Sequence, residues 1–91
     1  MGFEWDPEKA AANELKHGVT FVEGATVFED PLFLVFEDPD HSFGESRYII
    51  MGRSAQGRLL LVSYTERGNR NRVISARAAT KREKRIYEED L

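Results

Sequence analysis

Cysteine is absent from the 91 residues, which excludes disulfides, thiol catalysis and cysteine-based zinc sites together. Histidine occurs only twice, at His17 and His41, and neither sits in a His-Glu-x-x-His spacing. Asp38 and Asp40 flank a proline, which is turn composition. No metal and no other cofactor is therefore expected. Glycine-rich phosphate loops and the Gly-x-Ser-x-Gly nucleophile turn are missing as well. No apolar run approaches the ~20 residues of a membrane helix, and the start, Met-Gly-Phe-Glu-Trp-Asp, has neither the basic patch nor the apolar core of a secretion signal. These absences leave a cytoplasmic protein with no membrane partner, and the length suits a single domain spanning 1–91.

What is present is charge, unevenly placed. Residues 1–45 carry two cations against eleven acids, and residues 46–91 carry eleven cations against five acids. Nine of those eleven cations are arginine, whose planar fork grips phosphate or carboxylate in two places. The net charge of −3 conceals this division, and binding follows local potential rather than the total. A solvated basic surface that balances an acidic one is the plain alternative.

Helix signals are clear at three points. Asp6-Pro7-Glu8 offers a cap, a proline at the first helical position and an early acid. Ala10, Ala11 and Leu15 suggest an apolar stripe, and Lys16-His17-Gly18 a stop. Thr20 to Glu23 reads as a capping box that opens a second helix, with Phe21, Ala25 and Phe28 on one face and Pro31 beyond its end. Thr80 to Glu83 is a third box, opening a helix that reaches about Asp90.

Between them lie strands: Leu32 to Glu37, Arg47 to Gly52, Arg58 to Thr65 and Arg72 to Ala78, with Phe3 to Trp5 as a short addition at one edge. Ser54 to Gly57 and Arg67 to Asn71 supply the hairpin connections, and Asp38 to Gly44 a loop. Leu59, Leu60, Leu61 and Val62 do not alternate, so their strand should be covered on both faces. The expected fold is α+β: an antiparallel sheet of four to five strands, two N-terminal helices and one C-terminal helix, with the helices on one side.

Strand side chains alternate, so spacing decides which arginines converge. Arg47 and Arg53 share a face if no bulge intervenes. Arg72 and Arg77, five apart, share one only if a bulge does. Spacing permits a guanidinium cluster without requiring it.

Seven segments in order then carry a resemblance. They are Phe-Glu-Trp-Asp-Pro (3–7), Asn-Glu-Leu-Lys-His-Gly-Val-Thr-Phe (13–21), Val-Phe-Glu-Asp-Pro (27–31), His-Ser-x-x-Glu-x-Arg (41–47), Gly-Arg-Leu-Leu-x-Val (57–62), Tyr-Thr-Glu-Arg (64–67) and Arg-Val-Ile-Ser-Ala-Arg (72–77). Together they resemble the BrnT family of type II toxins over essentially the whole chain. Ala78 departs from it, since members often carry Lys or Arg there. The resemblance implies a RelE-like fold and an enzyme: a ribonuclease that cleaves RNA without metal and inhibits translation. It also implies a BrnA-type antitoxin partner in an autoregulatory complex, with DNA reached only indirectly through that antitoxin.

Metal-free RNA cleavage needs a base for the 2′-hydroxyl, charge stabilisation for the phosphorane and a proton for the leaving 5′-oxygen. His17 or Glu45 would move protons, while Arg47, Arg67, Arg72 and Arg77 would hold phosphate. Each has a structural alternative: His17 can cap its helix, Glu45 can simply pair with Arg47, and His41 can be loop surface. Tyr87 reads as core. The rival function is a non-catalytic module that grips an acidic protein or a nucleic acid with the same basic face. An inhibitor of that face should be acidic, partly helical and laid near Arg47, Arg67, Arg72 and Arg77.

Overall fold

Side-chain oxygens start each helix by accepting backbone N–H groups that the first turn leaves unpaired. The computed structural model describes residues 2–39 and 45–89, so His41 lies outside the described residues. Asp6 Oδ1 accepts from Glu8 N at 2.8 Å and opens α1 (Pro7–His17). Thr20 Oγ1 accepts from Glu23 N at 3.0 Å and opens α2 (Phe21–Thr26), which a short 3-10 turn prolongs to Glu29. Thr80 and Glu83 exchange both bonds of a capping box at the start of α3 (Lys81–Glu89).

The strands are β1 (Gly2–Glu4), β2 (Leu34–Glu37), β3 (Arg47–Arg53), β4 (Leu59–Arg67) and β5 (Arg70–Ala78). They form one sheet in the order β1-β5-β4-β3-β2. β2 to β5 are antiparallel neighbours, while β1 joins β5 in parallel, so the α+β fold is built on a mixed sheet. The β4–β5 hairpin is tighter than its composition suggests. Arg67 pairs with Arg70, and Gly68 takes φ 59°, which leaves only two residues in the turn and lengthens both strands.

One face of the sheet, the helical face, carries α1 and α2. Phe21, Val27, Ile50, Leu60, Val62, Tyr64, Val73 and Ala76 are buried there, and Phe3 and Phe28 close the core edge-on with centroids 5.0 Å apart. Gly24 lets α2 approach closely: a Cβ there would lie 3.2 Å from Ala76 Cβ. Among the described residues the other face is covered only at one end, where Tyr87 of α3 packs with Met51, Leu59 and Leu61. The helices therefore lie on both faces rather than on one. This satisfies the unbroken apolar run of β4, whose odd and even positions are both buried.

The apolar stripe expected on α1 is also corrected. Leu15 is 91% exposed, and the inward positions are Ala10, Asn13 and His17. β1 pairs with β5 only as far as Arg72, leaving the upper edge of β5 unpaired. Asn13 fills that role: its amide donates to Ala76 O and Val19 O at 2.8 and 2.9 Å and accepts from Ala76 N at 3.1 Å. A buried backbone edge needs partners more than the helix needs another leucine contact.

Candidate active site

The uncovered part of the sheet's second face is where the arginines gather, and a β-bulge gathers them. Ser63 pairs with Ser75, but Tyr64 pairs with Val73, so Ile74 is an extra residue in β5. The insertion turns Arg72 and Arg77, five apart, onto the same face. The register places Arg47, Arg53, Arg67 and Arg70 on that face too. The bulge that spacing left open is present.

These cations do not form one undivided cluster. Glu45 sits between Arg47 and Arg67, with carboxylate oxygens 3.6 Å from Arg47 Nε and 3.8 Å from an Arg67 amino group. Arg47 Nε is buried and has no hydrogen-bond partner among the described residues. Arg67 is the more exposed, at 55% of its side chain. Arg72 pairs with Glu4 of β1 at 2.9 Å, an interaction that sequence reasoning missed because it depends on the parallel pairing of β1. Arg70 donates to Phe3 O at 3.1 Å on the same seam.

Arg77 stands apart. It makes a two-pronged pair with Glu83 of α3, at 2.8 Å on each prong. The Arg77 guanidinium, backed by Thr80, holds the Glu83 carboxyl down at about 2 despite partial burial. His17 is also apart from the arginines of the open face. It lies in the last turn of α1, on the helical face, next to Gly18, whose carbonyl accepts from Arg58 at 3.1 Å. The structure thus brings Glu45, Arg47, Arg67 and Arg72 to one open face, ties Arg77 to α3, and leaves His17 on the opposite layer.

Other charged groups are structural. Glu23, expected to close its capping box, instead turns inward, where Arg58 Nε donates to it at 2.9 Å and Ser54 at 2.8 Å. Arg58 holds the Glu23 carboxyl below the usual range against the opposing effect of burial. Asp30 is raised by burial but lowered further by the N–H of Arg53 and the hydroxyl of Tyr87, both at 2.7 Å, and by the N–H of Leu32. Burial and the Asp30 carboxylate push Tyr87 up to about 12, so its proton stays in that bond. Among the described residues no three histidine or carboxylate groups gather as metal ligands, and no helix is long and apolar enough to cross a membrane.

The family model for the BrnT ribonuclease toxin of type II toxin–antitoxin systems matches residues 5–83. The chain belongs to the BrnT family. The match spans the helical face, the whole of β3 to β5 and the Glu83 that anchors α3. A crystal structure of the Brucella abortus ribonuclease toxin BrnT, at 1.1 Å, superposes with a TM-score of 0.71. It covers 89% of this chain and 99% of that one at 24% identity, a likeness of fold. No curated protein matches the chain. As a BrnT-family ribonuclease toxin, the protein has its open arginine face as the candidate site for RNA.

Proposed function

We propose that this BrnT-family toxin is a metal-independent endoribonuclease that cuts RNA on the open sheet face and so inhibits translation. The observation that carries this reading is Glu45 set between Arg47 and Arg67, with Arg72 brought alongside by the bulge at Ile74. In the reaction, the Glu45 carboxylate takes the 2′-hydroxyl proton, and the 2′-oxygen attacks the adjacent phosphorus. The phosphorane oxygens accept hydrogen bonds from the amino groups of Arg47 and Arg67, whose guanidiniums flank Glu45. The P–O5′ bond breaks, the 5′-oxygen takes a proton from water, and a 2′,3′-cyclic phosphate remains. Arg72 positions the neighbouring phosphate. Arg77 acts through α3 rather than on the substrate, and His17 supports the α1 end of the helical layer.

Control is assigned to a BrnA-type antitoxin that covers this face, with DNA contacted only through the antitoxin in an autoregulatory complex. The test is purified protein incubated with RNA in excess EDTA. Cleavage that leaves cyclic phosphate ends, lost in Glu45→Gln, is expected. Strict dependence on added magnesium would overturn the metal-independent mechanism, and intact RNA under every condition would favour a binding module.

A further inference from the structure

Phe36 stands on the open face beside the arginines. It pairs with Ile49 across β2 and β3, and partners in a sheet share a face. Ile49 packs against the Met51, Leu59 and Leu61 cluster of the second face, and so does Leu34, two residues before Phe36. Arg47 is two residues from Ile49 and therefore a diagonal neighbour of Phe36, at roughly the 7–8 Å that lets long side chains meet. The row that starts at Phe36 continues through Ile49, Ser63 and Ser75, so an uncharged strip lies between Arg77 and the row of Arg47 and Arg72. Phe36 is 44% exposed. The aromatics of the helical-face core meet one another, as Phe28 does with Phe3 and Tyr64, whereas the Phe36 ring meets no other ring and no cation among the described residues.

We propose that Phe36 is the platform on which a base of the bound RNA stacks, beside the phosphate held by Arg47 and Arg67. A nucleotide carries charge and a flat, largely apolar ring on one backbone. The guanidiniums meet the charge, and the uncharged strip next to them suits the ring and not the phosphate. Unpaired bases of single-stranded RNA stack on exposed aromatic side chains. Such stacking accepts any base, because every base has a π-face, so the platform fixes where the chain lies rather than which sequence is cut. A protein occupant would need only apolar area at this position, which leucine supplies as well. A nucleobase needs the ring.

The inference rests on the ribonuclease reading, but its test needs no cleavage. A short 2′-O-methyl oligoribonucleotide, which lacks the attacking hydroxyl, is titrated into the wild-type protein, Phe36→Leu and Phe36→Trp. Inorganic polyphosphate and an abasic strand of equal length serve as base-free probes. Phe36→Leu should weaken oligonucleotide binding about tenfold, Phe36→Trp should keep it, and polyphosphate should bind all three alike. The wild type should hold the abasic strand at least about tenfold more weakly than the full oligonucleotide, a comparison that needs no variant. Three results would each overturn the platform even if RNA is cleaved: oligonucleotide binding unchanged in Phe36→Leu, polyphosphate weakened as much as the oligonucleotide in that folded variant, or the abasic strand bound as tightly as the full one. Loss of antitoxin binding alone in Phe36→Leu would overturn it too, giving Phe36 to the antitoxin. Base-dependent binding that Phe36→Leu removes, with unmodified RNA left intact by the wild type, would instead sink the ribonuclease reading and leave the platform standing.

Discussion

Asn13 is a side chain standing in for a strand. Its amide satisfies both the N–H and the C=O of Ala76 where β1 has stopped, and it is buried while doing so. Asn13→Ala leaves those backbone groups buried and unpaired, a cost of about 2–3 kcal/mol. Urea denaturation should show a lower midpoint with an unchanged slope. A shift under about 0.5 kcal/mol would mean water replaces the amide. Arg67 and Arg72 differ in what surrounds them, and their variants should separate accordingly. Arg67 is exposed and pairs among the described residues with Glu45 at long range, so Arg67→Ala should lower cleavage on the order of 100-fold with little loss of stability. Arg72 also ties β1 to the sheet through Glu4, so Arg72→Ala should lower both cleavage and melting temperature. Activity assays set beside thermal melts read the split, and equal stability of the two variants would contradict it.

Elements decide how much of this was legible beforehand. The three helix starts were, because Asp6, Thr20 and Thr80 act within four residues of chain, and local hydrogen bonds are written locally. The four antiparallel strands were, because turn chemistry brackets them. The bulge at Ile74 was not, since nothing in Arg-Val-Ile-Ser-Ala-Arg distinguishes an extra residue from a paired one; it appears only once β4 is alongside. The placement of α3 across the sheet, and with it the capture of Arg77 by Glu83, likewise needed the third dimension. Within the proposed site, Glu45, Arg47, Arg67 and Arg72 are named by the sequence, whereas the contact of Glu4 with Arg72 follows only from register. The docking of α3 is open to a pH test. The Glu83 carboxyl is held at about 2 against an ordinary 4.5, chiefly by Arg77. A depressed carboxyl stabilises the fold above its unfolded value and loses that contribution as pH falls from about 4.5 towards 2. Arg77 is partly exposed, so the screened contribution is on the order of 1 kcal/mol. Wild type should melt above Glu83→Gln at pH 6, and most of the gap should be gone by about pH 2.5. A gap undiminished there would place the stabilisation in packing instead.

At the scale of the molecule, the acidic first half and the arginine-rich second half fold so that the open sheet face draws its cations from β3, β4 and β5. RNA held by several guanidiniums releases counterions, so its affinity should fall steeply between about 50 and 200 mM salt. The same face constrains the antitoxin. Arg47 and Arg67 share the single carboxylate of Glu45, so covering them without offering another would leave buried charge short of a partner, at a cost of several kcal/mol. The contact segment of the antitoxin is therefore expected to be acidic. Affinity also needs apolar burial, because charge pairing governs rate and specificity more than strength. Apolar surface is available beside the arginines: Phe36 at the sheet edge and Ile86 on α3 are both 44% exposed. Arg77 already has its carboxylate in Glu83, so an acidic segment gains little there. The double variant Arg67→Ala, Arg72→Ala should weaken both RNA cleavage and antitoxin affinity, the latter by 2 kcal/mol or more. Arg77→Ala should change antitoxin affinity far less while lowering stability. Calorimetric titration of the antitoxin into each variant reads the difference. If the double variant lost cleavage yet bound antitoxin within about 0.5 kcal/mol of wild type, inhibition would have to act from another surface, and the exposed Leu15 and Val22 on the helical layer would be the place to look next.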